Sequence, residues 1–356
     1  MSKTGKWLLI FGLIALASAV AFGISVAALG VTDNDYGISI GGYDIPVTNG
    51  MTINIGGANM GNAEINFIDN GNKTTESYEK NREYNASFNG ASLSDIKIQL
   101  SSCHANIVPS ADSTVRVNYK TGNAPVNFTA EIKDDILTIS EKMNISLFNF
   151  GSNQHSDLTL ELPESLYDSF DIDLASGKIT SSALKADDFN ANVASGTVEL
   201  GIFAEKIDLN VASGKMVLNN CSADKADSIK ISAASGNIEM NGFGSDDTKV
   251  ELASGHVVLN GISGKVKGEL ASGKLTLGYS EWNDDLEIKL MSGNCDVTLP
   301  AGSGADASLK RLSGSMSLDL DGQNAKLNGN SSLTVGGSNV HRINGDIASG
   351  NISVHN

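Results

Sequence analysis

The chain has 356 residues, 40% hydrophobic and 19% charged, which is long enough for one large domain or two ordinary ones. Its formal net charge of -16 disfavours nucleic acid as a partner, because an acidic surface repels phosphate backbones. The 38 glycines and 5 prolines favour many tight corners between short strands over a proline-rich linker.

The first predicted element is an uncharged run of 25 residues, residues 7–31, preceded by a short N-terminal segment, residues 1–6. At a rise of about 1.5 Å per residue, a helix of this length crosses a hydrocarbon core of ~30 Å. Two lysines precede the run, and Asp33 and Asp35 follow it. This asymmetry predicts a cytoplasmic N-terminus, a single-pass membrane anchor and an extracytoplasmic body.

A cleaved signal peptide is the alternative interpretation of this run. Residues 17–21 (ASAVA) contain two small-x-small patterns of the kind that signal peptidases recognise. The apolar core of a signal peptide usually spans about 7–15 residues, so the length of the run favours an uncleaved anchor. In both cases the main body is exported.

Residues 32–92 are rich in Gly, Asn and Thr with patchy alternation of polar and apolar residues. We interpret them as a stalk and an irregular N-terminal β region. Residues 93–356 form the predicted main domain.

An Ala-Ser-Gly tripeptide, or a close variant, recurs through the second half of the chain at intervals of 18–22 residues. Residues two and four positions after each glycine are usually apolar, and so are residues three and five positions before it. Such period-two alternation is typical of a strand with one buried face. The last interval is 36, which predicts a degenerate copy near Ser332. The predicted corner glycines are Gly177, Gly196, Gly214, Gly236, Gly255, Gly273, Gly293, Gly314 and Gly350.

Each repeat therefore predicts a strand, a Ser-Gly corner, a second strand and a variable polar return. Glycine suits such a corner because it reaches positive φ without a Cβ clash. A unit this short cannot bury its apolar face alone, so the units are expected to stack at about 4.8 Å per rung. A propeller blade would need about 40–45 residues. The sequence thus predicts an all-β fold, a β-helix or β-solenoid of about ten rungs, preceded by one transmembrane helix.

Arg311 breaks the repeat, because it stands three residues before Gly314, where an apolar residue is expected. Either the register slips by one residue, so that the adjacent Leu312 takes its place, or Arg311 lies at a loosened rung, and the adjacent leucine favours the slip. We therefore predict a register slip at this rung.

Residues capable of chemistry are scattered. No two of the five histidines lie within four residues of each other, and the acidic pairs, such as Asp246-Asp247 and Asp284-Asp285, fall mostly in predicted returns. Carboxylates on stacked returns could bind Ca²⁺ or act as acid and base, but no calcium-loop motif is present. Nucleophile-elbow and phosphate-loop motifs are also missing. We predict no catalytic, cofactor-binding or metal-binding residue.

The three cysteines show no spacing typical of a metal site. Cys295 occupies an inward repeat position and is expected to be a core thiol. Cys221 falls in a predicted return and is the thiol expected to react first. Cys103 stands where a corner glycine would be.

Residues 162–180 (LPESLYDSFDIDLASGKIT) and the Ser-Gly units after them resemble the bacterial "putative adhesin" family, a DUF4097-like domain of unknown function. The resemblance extends over residues 90–356. It implies a right-handed β-helix-like fold in a bacterial envelope or surface protein. It transfers no set of catalytic residues.

These features together predict a non-enzymatic, adhesin-like binding or scaffold protein at the cell membrane. The predicted partners are the membrane, through the N-terminal helix, and a surface, glycan or protein ligand. An envelope structural or stress component that assembles as a homo-oligomer is one alternative. A β-helical carbohydrate-active enzyme, which would need carboxylates converging in a groove, is another.

Overall fold

The structure is a computed structural model that describes residues 83–122, 126–143, 155–220, 222 and 224–356, together with four short strands further upstream. The predicted anchor, most of the predicted stalk and Cys221 lie outside the described residues. Within the part of the chain that is described, no helix combines the length and hydropathy needed to cross a bilayer.

Every regular element of the described residues is a β-strand, which confirms the predicted all-β class. The upstream strands are β1 Tyr36–Ile40, β2 Tyr43–Val47, β3 Ile53–Ile55 and β4 Glu76–Tyr78. The N-terminal part of the main domain contains β5 Glu83–Asn89, β6 Asp95–Pro109, β7 Thr114–Lys120, β8 Val126–Lys133, β9 Ile136–Met143 and β10 Ser156–Leu162. The central part contains β11 Leu166–Val193, β12 Thr197–Val211, β13 Lys215–Asn220, β14 Ala226–Ala233, β15 Asn237–Asn241, β16 Gly244–Leu252, β17 His256–Leu270, β18 Lys274–Tyr279 and β19 Leu286–Leu290. The C-terminal part contains β20 Asn294–Thr298, β21 Ser303–Arg311, β22 Ser315–Leu320, β23 Gln323–Leu327, β24 Ser331–Gly336, β25 Asn339–Ile347 and β26 Asn351–His355.

The central strands pair in parallel, each with the equivalent strand one repeat later. On the strands that follow the corners, Thr197 pairs with Lys215, Lys215 with Asn237, and Asn237 with His256. The strands that precede the corners form a second parallel ladder, in which Val211 pairs with Ala233. The chain therefore stacks repeat upon repeat in a solenoid-like arrangement, and the inward apolar side chains of the two ladders fill the core between them.

The corner glycines form one column, and close backbone approach explains most of them. A Cβ atom on Gly255 would lie closer than 3.0 Å to the carbonyl oxygen of Gly236, and the same holds for Gly273 against Gly255. Only Gly177, Gly314 and Gly350 of the corner set have positive φ. The expectation that each corner glycine has positive φ is therefore wrong for the other corners. There the neighbouring rung leaves no room for a Cβ atom, through its backbone or, at Gly196 and Gly236, first through the Leu174 and Val211 side chains.

The last rungs are not stacked in sequence order. Strand β26 lies between β20 and β22, and β25 lies between β19 and β21. Strands β25 and β26 come last in the sequence, but in the stack they lie between two rungs that come earlier in the sequence. In the corner column, Gly350 therefore lies between Gly293 and Gly314.

The predicted degenerate repeat near Ser332 is wrong. Strand β24, which contains Ser332, runs antiparallel to β21, and β23 runs antiparallel to β22. These two strands close the C-terminal end of the stack instead of adding another coil. The interval of 36 residues arises because the chain builds this cap before it returns to insert β25 and β26.

The N-terminal end is closed in a similar way. Strand β6 pairs in parallel with β9 and β10, and the next strands outward, β8 and β7, are antiparallel to them. Strand β5 pairs antiparallel with β7 and so extends the sheet that contains β10 and β7.

The predicted register slip at Arg311 is also wrong. Arg311 pairs with Ile347, which lies three residues before its own corner glycine, so the repeat register is intact. Leu312 is 61% exposed and does not replace it. The Arg311 guanidinium donates a hydrogen bond of 2.6 Å to the carbonyl oxygen of Gly314, at a rung close to the end of the stack.

We expect Gly255→Ala to lower stability by about 1–3 kcal/mol, because its methyl group collides with the backbone of the rung below. Gly278→Ala is the matched control, since its Cβ would meet nothing closer than 3.4 Å. The control is expected to be neutral or to gain about 0.4–1 kcal/mol from a less flexible unfolded chain. Urea unfolding followed by circular dichroism measures both variants. Equal midpoints would contradict the assigned role of the corner.

Candidate binding surfaces

The stacked strands present two outward faces that differ in charge. We define the pre-corner face as the residues four and six positions before each corner glycine, and the post-corner face as those one, three and five positions after it. Of the 18 positions on the pre-corner face, 12 are charged, whereas only 7 of the 27 on the post-corner face are, counting histidine as neutral. The charged pre-corner residues are Asp171, Asp173, Asp208, Lys230, Lys249, Glu251, Lys267, Glu269, Glu287, Lys289, Lys310 and Asp346.

Charges on the pre-corner face pair largely with one another. Lys230 lies 2.9 Å from Asp208 on the neighbouring rung, and Lys289 lies 2.8 Å from Glu269. Exposed pairs of this kind contribute little to stability individually, with typical values of about 0–1 kcal/mol. Their effect here is to cover this face with hydrated, mutually satisfied charge.

The post-corner face carries short, neutral side chains that form ladders between rungs. The Asn241 amide donates to the Asn219 side-chain oxygen at 3.0 Å, and the Asn260 amide donates to that of Asn241 at 3.0 Å. Val217 and Val258 are half-buried on the same face. The result is a regular surface of amides, hydroxyls and small apolar groups, with few charges to desolvate.

A shallow groove of about 470 Å³ lies at the C-terminal end of the post-corner face. Its walls come from β22, β23 and β26, and its polar lining includes Ser317, Asp319, Asn324, Lys326 and His355. The His355 imidazole also lies 3.0 Å from the Thr298 hydroxyl on the adjacent rung. The groove extends the post-corner face with hydrogen-bond donors and acceptors and with one charge of each sign, Asp319 and Lys326.

Two histidines that are far apart in sequence meet in the structure. The rings of His104 and His155 stack with centroids 4.5 Å apart, and the His155 ring nitrogen lies 3.0 Å from the Ser102 hydroxyl. Local spacing could not reveal this pair, because β10 is brought beside β6 by long-range parallel pairing. Among the described residues, the His256 side chain forms its hydrogen bond with the neutral Thr276 hydroxyl, at 3.4 Å.

The acidic pairs are distributed over separate rungs. Asp188 forms an ion pair with Lys206 at 3.2 Å, and Asp285 lies 3.8 Å from Arg342. Asp134 and Asp135 both have positive φ and make the tight turn between β8 and β9. In the described part of the chain, no three His, Cys, Asp or Glu residues converge as a metal site would require.

Comparison with known proteins identifies the family. The family model for the Toastrack domain, DUF4097, matches residues 93–355. The chain belongs to the Toastrack DUF4097 family. The resemblance drawn from residues 162–180 and the Ser-Gly units is thereby confirmed.

Solved structures give matches that cover most of this Toastrack chain at low identity. A "putative adhesin" from Parabacteroides distasonis is 18% identical, with 77% of this chain and 97% of that chain covered and a TM-score of 0.42. A "putative lipid binding protein" from the same organism is 14% identical, with coverage of 76% and 96% and a TM-score of 0.44. A "putative adhesin" from Parabacteroides merdae is 15% identical, with coverage of 77% and 96% and a TM-score of 0.36. No curated protein matches the chain.

The N-terminal end of the Toastrack domain contains a buried polar cluster that the sequence did not predict. The Glu141 side chain is fully buried and accepts hydrogen bonds from the Tyr119 hydroxyl at 2.8 Å and the Ser102 backbone N–H at 2.9 Å. The Tyr119 hydroxyl also lies 2.9 Å from the buried Ser156 hydroxyl. The pKa of Tyr119 is raised well above its ordinary value, mainly by burial and secondly by the negative charge of Glu141.

Cys103 and Cys295 are both free and buried in the core. Burial raises the pKa of both thiols, and the negative charge of Glu141 raises that of Cys103 further. The thiolate is the reactive form, so these cysteines are expected to be inert in the folded domain. The core position expected for Cys295 is found, whereas the expected reactivity of Cys221 stays a prediction.

We expect a Cys221→Ser chain to react with Ellman's reagent at neutral pH on the order of 100-fold more slowly when folded than when unfolded, because both remaining thiols are buried and protonated. The unfolded chain in guanidinium is the control and should release two equivalents of product. A rapid burst from the folded chain would contradict the buried placement of these cysteines.

Proposed function

We propose that this Toastrack protein is a membrane-anchored, extracytoplasmic binding protein without enzymatic activity, and that the post-corner face is its contact surface. The observation that carries the proposal is the charge difference between the two faces. The post-corner face has 7 charges in 27 positions, although the whole chain has a net charge of -16. A partner of low charge, such as a glycan, fits this surface best.

Desolvation explains why the charge-poor face is the better contact surface. A charged group that loses water on binding must find a partner with good geometry, or its desolvation costs more than the contact returns. Amide and hydroxyl groups cost less to desolvate and can both donate and accept. Interface cores are accordingly depleted in charged residues.

The repeated serines support a structural role for the corners in place of chemistry. The Ser195 hydroxyl donates to the Ala175 carbonyl oxygen at 3.0 Å, and the Ser213 hydroxyl donates to that of Ala194 at 3.1 Å. Each serine thus ties its corner to the rung beneath it. A hydroxyl used in this way at successive rungs fits a scaffold that presents a surface.

We expect Val258→Glu on the post-corner face to weaken binding to a printed glycan array by about tenfold, because the added charge must be desolvated within the contact. Ser232→Glu is the matched control, since it adds the same charge at a half-buried position of the pre-corner face. The full-length protein in detergent is used throughout, and thermal melts verify that both variants fold. If the wild-type protein binds no glycan on the array, or if both variants lose binding equally, the post-corner face is not the contact surface.

The proposed topology has its own test in a chain whose three cysteines are replaced by alanine. A membrane-impermeant maleimide should label Lys326→Cys in intact spheroplasts, because Lys326 is exposed on the proposed outer domain. Ser2→Cys, in the predicted cytoplasmic segment, should react only after permeabilisation. Labelling of both sites in intact spheroplasts, or of neither, would refute this orientation.

Self-assembly is a second candidate function, favoured by strand β24. Its sequence, SSLTVG, contains neither a charge nor a proline, the devices that commonly protect an edge strand. Its only pairing partner among the described strands is β21. Sedimentation of the detergent-solubilised protein distinguishes the two candidates, because a monomer at high concentration argues against assembly and leaves the binding function in place.

A further inference from the structure

The stacking of the return segments is interrupted beside Trp282. In the regular part of the domain, one return rests on the previous one: the Ser280 backbone N–H donates to the Ile262 carbonyl oxygen at 2.8 Å, and the Gly264 N–H donates to the Asn283 side chain at 2.8 Å. The next rung in the stack begins with β25, which the chain enters from the C-terminal cap instead of from a return segment. In the described structure, the first residues of β25 therefore lie against the return at residues 280–285, where a regular rung would have a further return segment.

A cleft of about 510 Å³ lies at this interruption. One wall is the return at residues 280–283, the other is the turn at residues 300–303, and the start of β25 forms the floor between them. A Cβ atom on Gly302 would meet nothing within 4 Å, which shows how open the second wall is. The cleft thus follows from the non-sequential order of the rungs.

The two walls are held by Trp282, which reaches across β25. Its indole N–H donates to the Gly304 carbonyl oxygen at 2.9 Å, and its own carbonyl oxygen accepts from the Asn339 amide at 2.6 Å. The His341 ring packs edge-on against the indole with centroids 5.7 Å apart. Trp282 is buried, so it fixes the width of the cleft without itself being exposed.

Beneath this wall lies Tyr279, which packs edge-on against Trp282 with ring centroids 5.0 Å apart. Its side chain is 7% exposed, and its hydroxyl has no hydrogen-bond partner among the described residues. A buried hydroxyl without a partner is costly, and such groups are rare in folded proteins. Tyr279 does not line the cleft, so it contributes to the site by packing against the back of Trp282.

The lining determines the class of ligand. The polar groups around the cleft are the hydroxyls of Ser280 and Ser303, the amides of Asn283 and Asn339, the carboxylate of Glu281 and the imidazole of His341. No lysine or arginine contributes, and Glu281 is exposed, so an anionic ligand is disfavoured. The Ser280 hydroxyl, the Asn283 side-chain oxygen and the Asn339 amide nitrogen already bond to protein groups. The Glu281 carboxylate, the Asn283 amide nitrogen and the His341 imidazole are the groups that suit a ligand with several hydroxyl groups.

We propose that this cleft is a binding site for a neutral, polyhydroxylated ligand, a free monosaccharide or the end of a glycan chain. Glu281 and Asn283 are exposed groups placed to bond its hydroxyls, and the turn at residues 300–303 forms the open wall opposite them. The site is separate from the post-corner face and does not depend on the function proposed for that face.

Trp282 supplies the test, because it is one of only two tryptophans in the chain, the other being Trp7. In the full-length Trp7→Phe protein in detergent, glucose, galactose and N-acetylglucosamine are titrated singly while indole fluorescence is recorded. We expect a saturable change with a dissociation constant on the order of 1 mM. Methyl glycosides of the same sugars form a second arm, and tighter binding of the glycosides identifies the end of a glycan chain as the ligand.

Two variants test whether the response comes from the cleft. Ala301→Phe fills the open wall and should abolish the change, and Glu281→Gln should weaken binding about tenfold through loss of a charged acceptor. Asp246→Asn is the matched control, because it removes one exposed carboxylate from strand β16, which does not line the cleft, and should leave binding unchanged.

Circular dichroism melts identify any variant that fails to fold. If Ala301→Phe is unfolded, Glu281→Gln against Asp246→Asn decides the question. No saturable signal with any sugar or glycoside overturns the proposal, and so does an unchanged response in the folded variants of the cleft. If Val258→Glu loses binding to the glycan array but keeps an unchanged fluorescence titration, the cleft and the post-corner face bind their ligands independently.

Discussion

The carbonyl oxygen of one corner glycine occupies the space that a Cβ atom would need on the corner of the next rung. This close backbone approach sets the spacing of the whole stack, since neighbouring rungs must pair at about 4.8 Å on both sides of the corner. The backbone N–H of the residue after each corner donates to the glycine of the previous rung, as Lys215 does to Gly196 at 2.9 Å. The two ladders can therefore keep the same register along the central rungs, and the inward side chains meet as continuous apolar columns.

A stack held in this way needs a means of ending, because its last rung presents unpaired backbone groups and an open core. Both ends change from parallel to antiparallel pairing. At the C-terminal end, Gln323 on β23 pairs with Leu320 and Ser331 on β24 pairs with Leu309, and both polar residues are exposed, so the cap turns a polar edge to solvent. The chain then returns to insert β25 and β26 as the last rung but one, directly before the rung that carries the cap.

The repeat could be predicted from sequence because its signals are local. Every unit contains apolar residues at every second position and a Ser-Gly corner. Both features arise from contacts that each rung makes in the same way. The errors fall where a contact depends on the order of rungs, which no local pattern encodes. Ser332 lies in a strand that looks like another repeat, and Arg311 keeps its register at a rung near the solvent-exposed end, where its guanidinium can reach the Gly314 carbonyl oxygen.

The same reasoning explains why the candidate sites could not be predicted from the sequence. A regular rung fills its own space with apolar side chains and leaves nothing for a ligand, so distinctive chemistry arises where the repeat is interrupted. The Glu141 cluster lies where the N-terminal antiparallel strands replace the coil, and the cleft beside Trp282 lies where β25 enters from the cap. Only the post-corner face is built from the repeat itself, and its character follows from repeated small neutral residues at outward positions. The scaffold is thus encoded by what recurs in the chain, whereas the cleft and the Glu141 cluster are encoded by what does not.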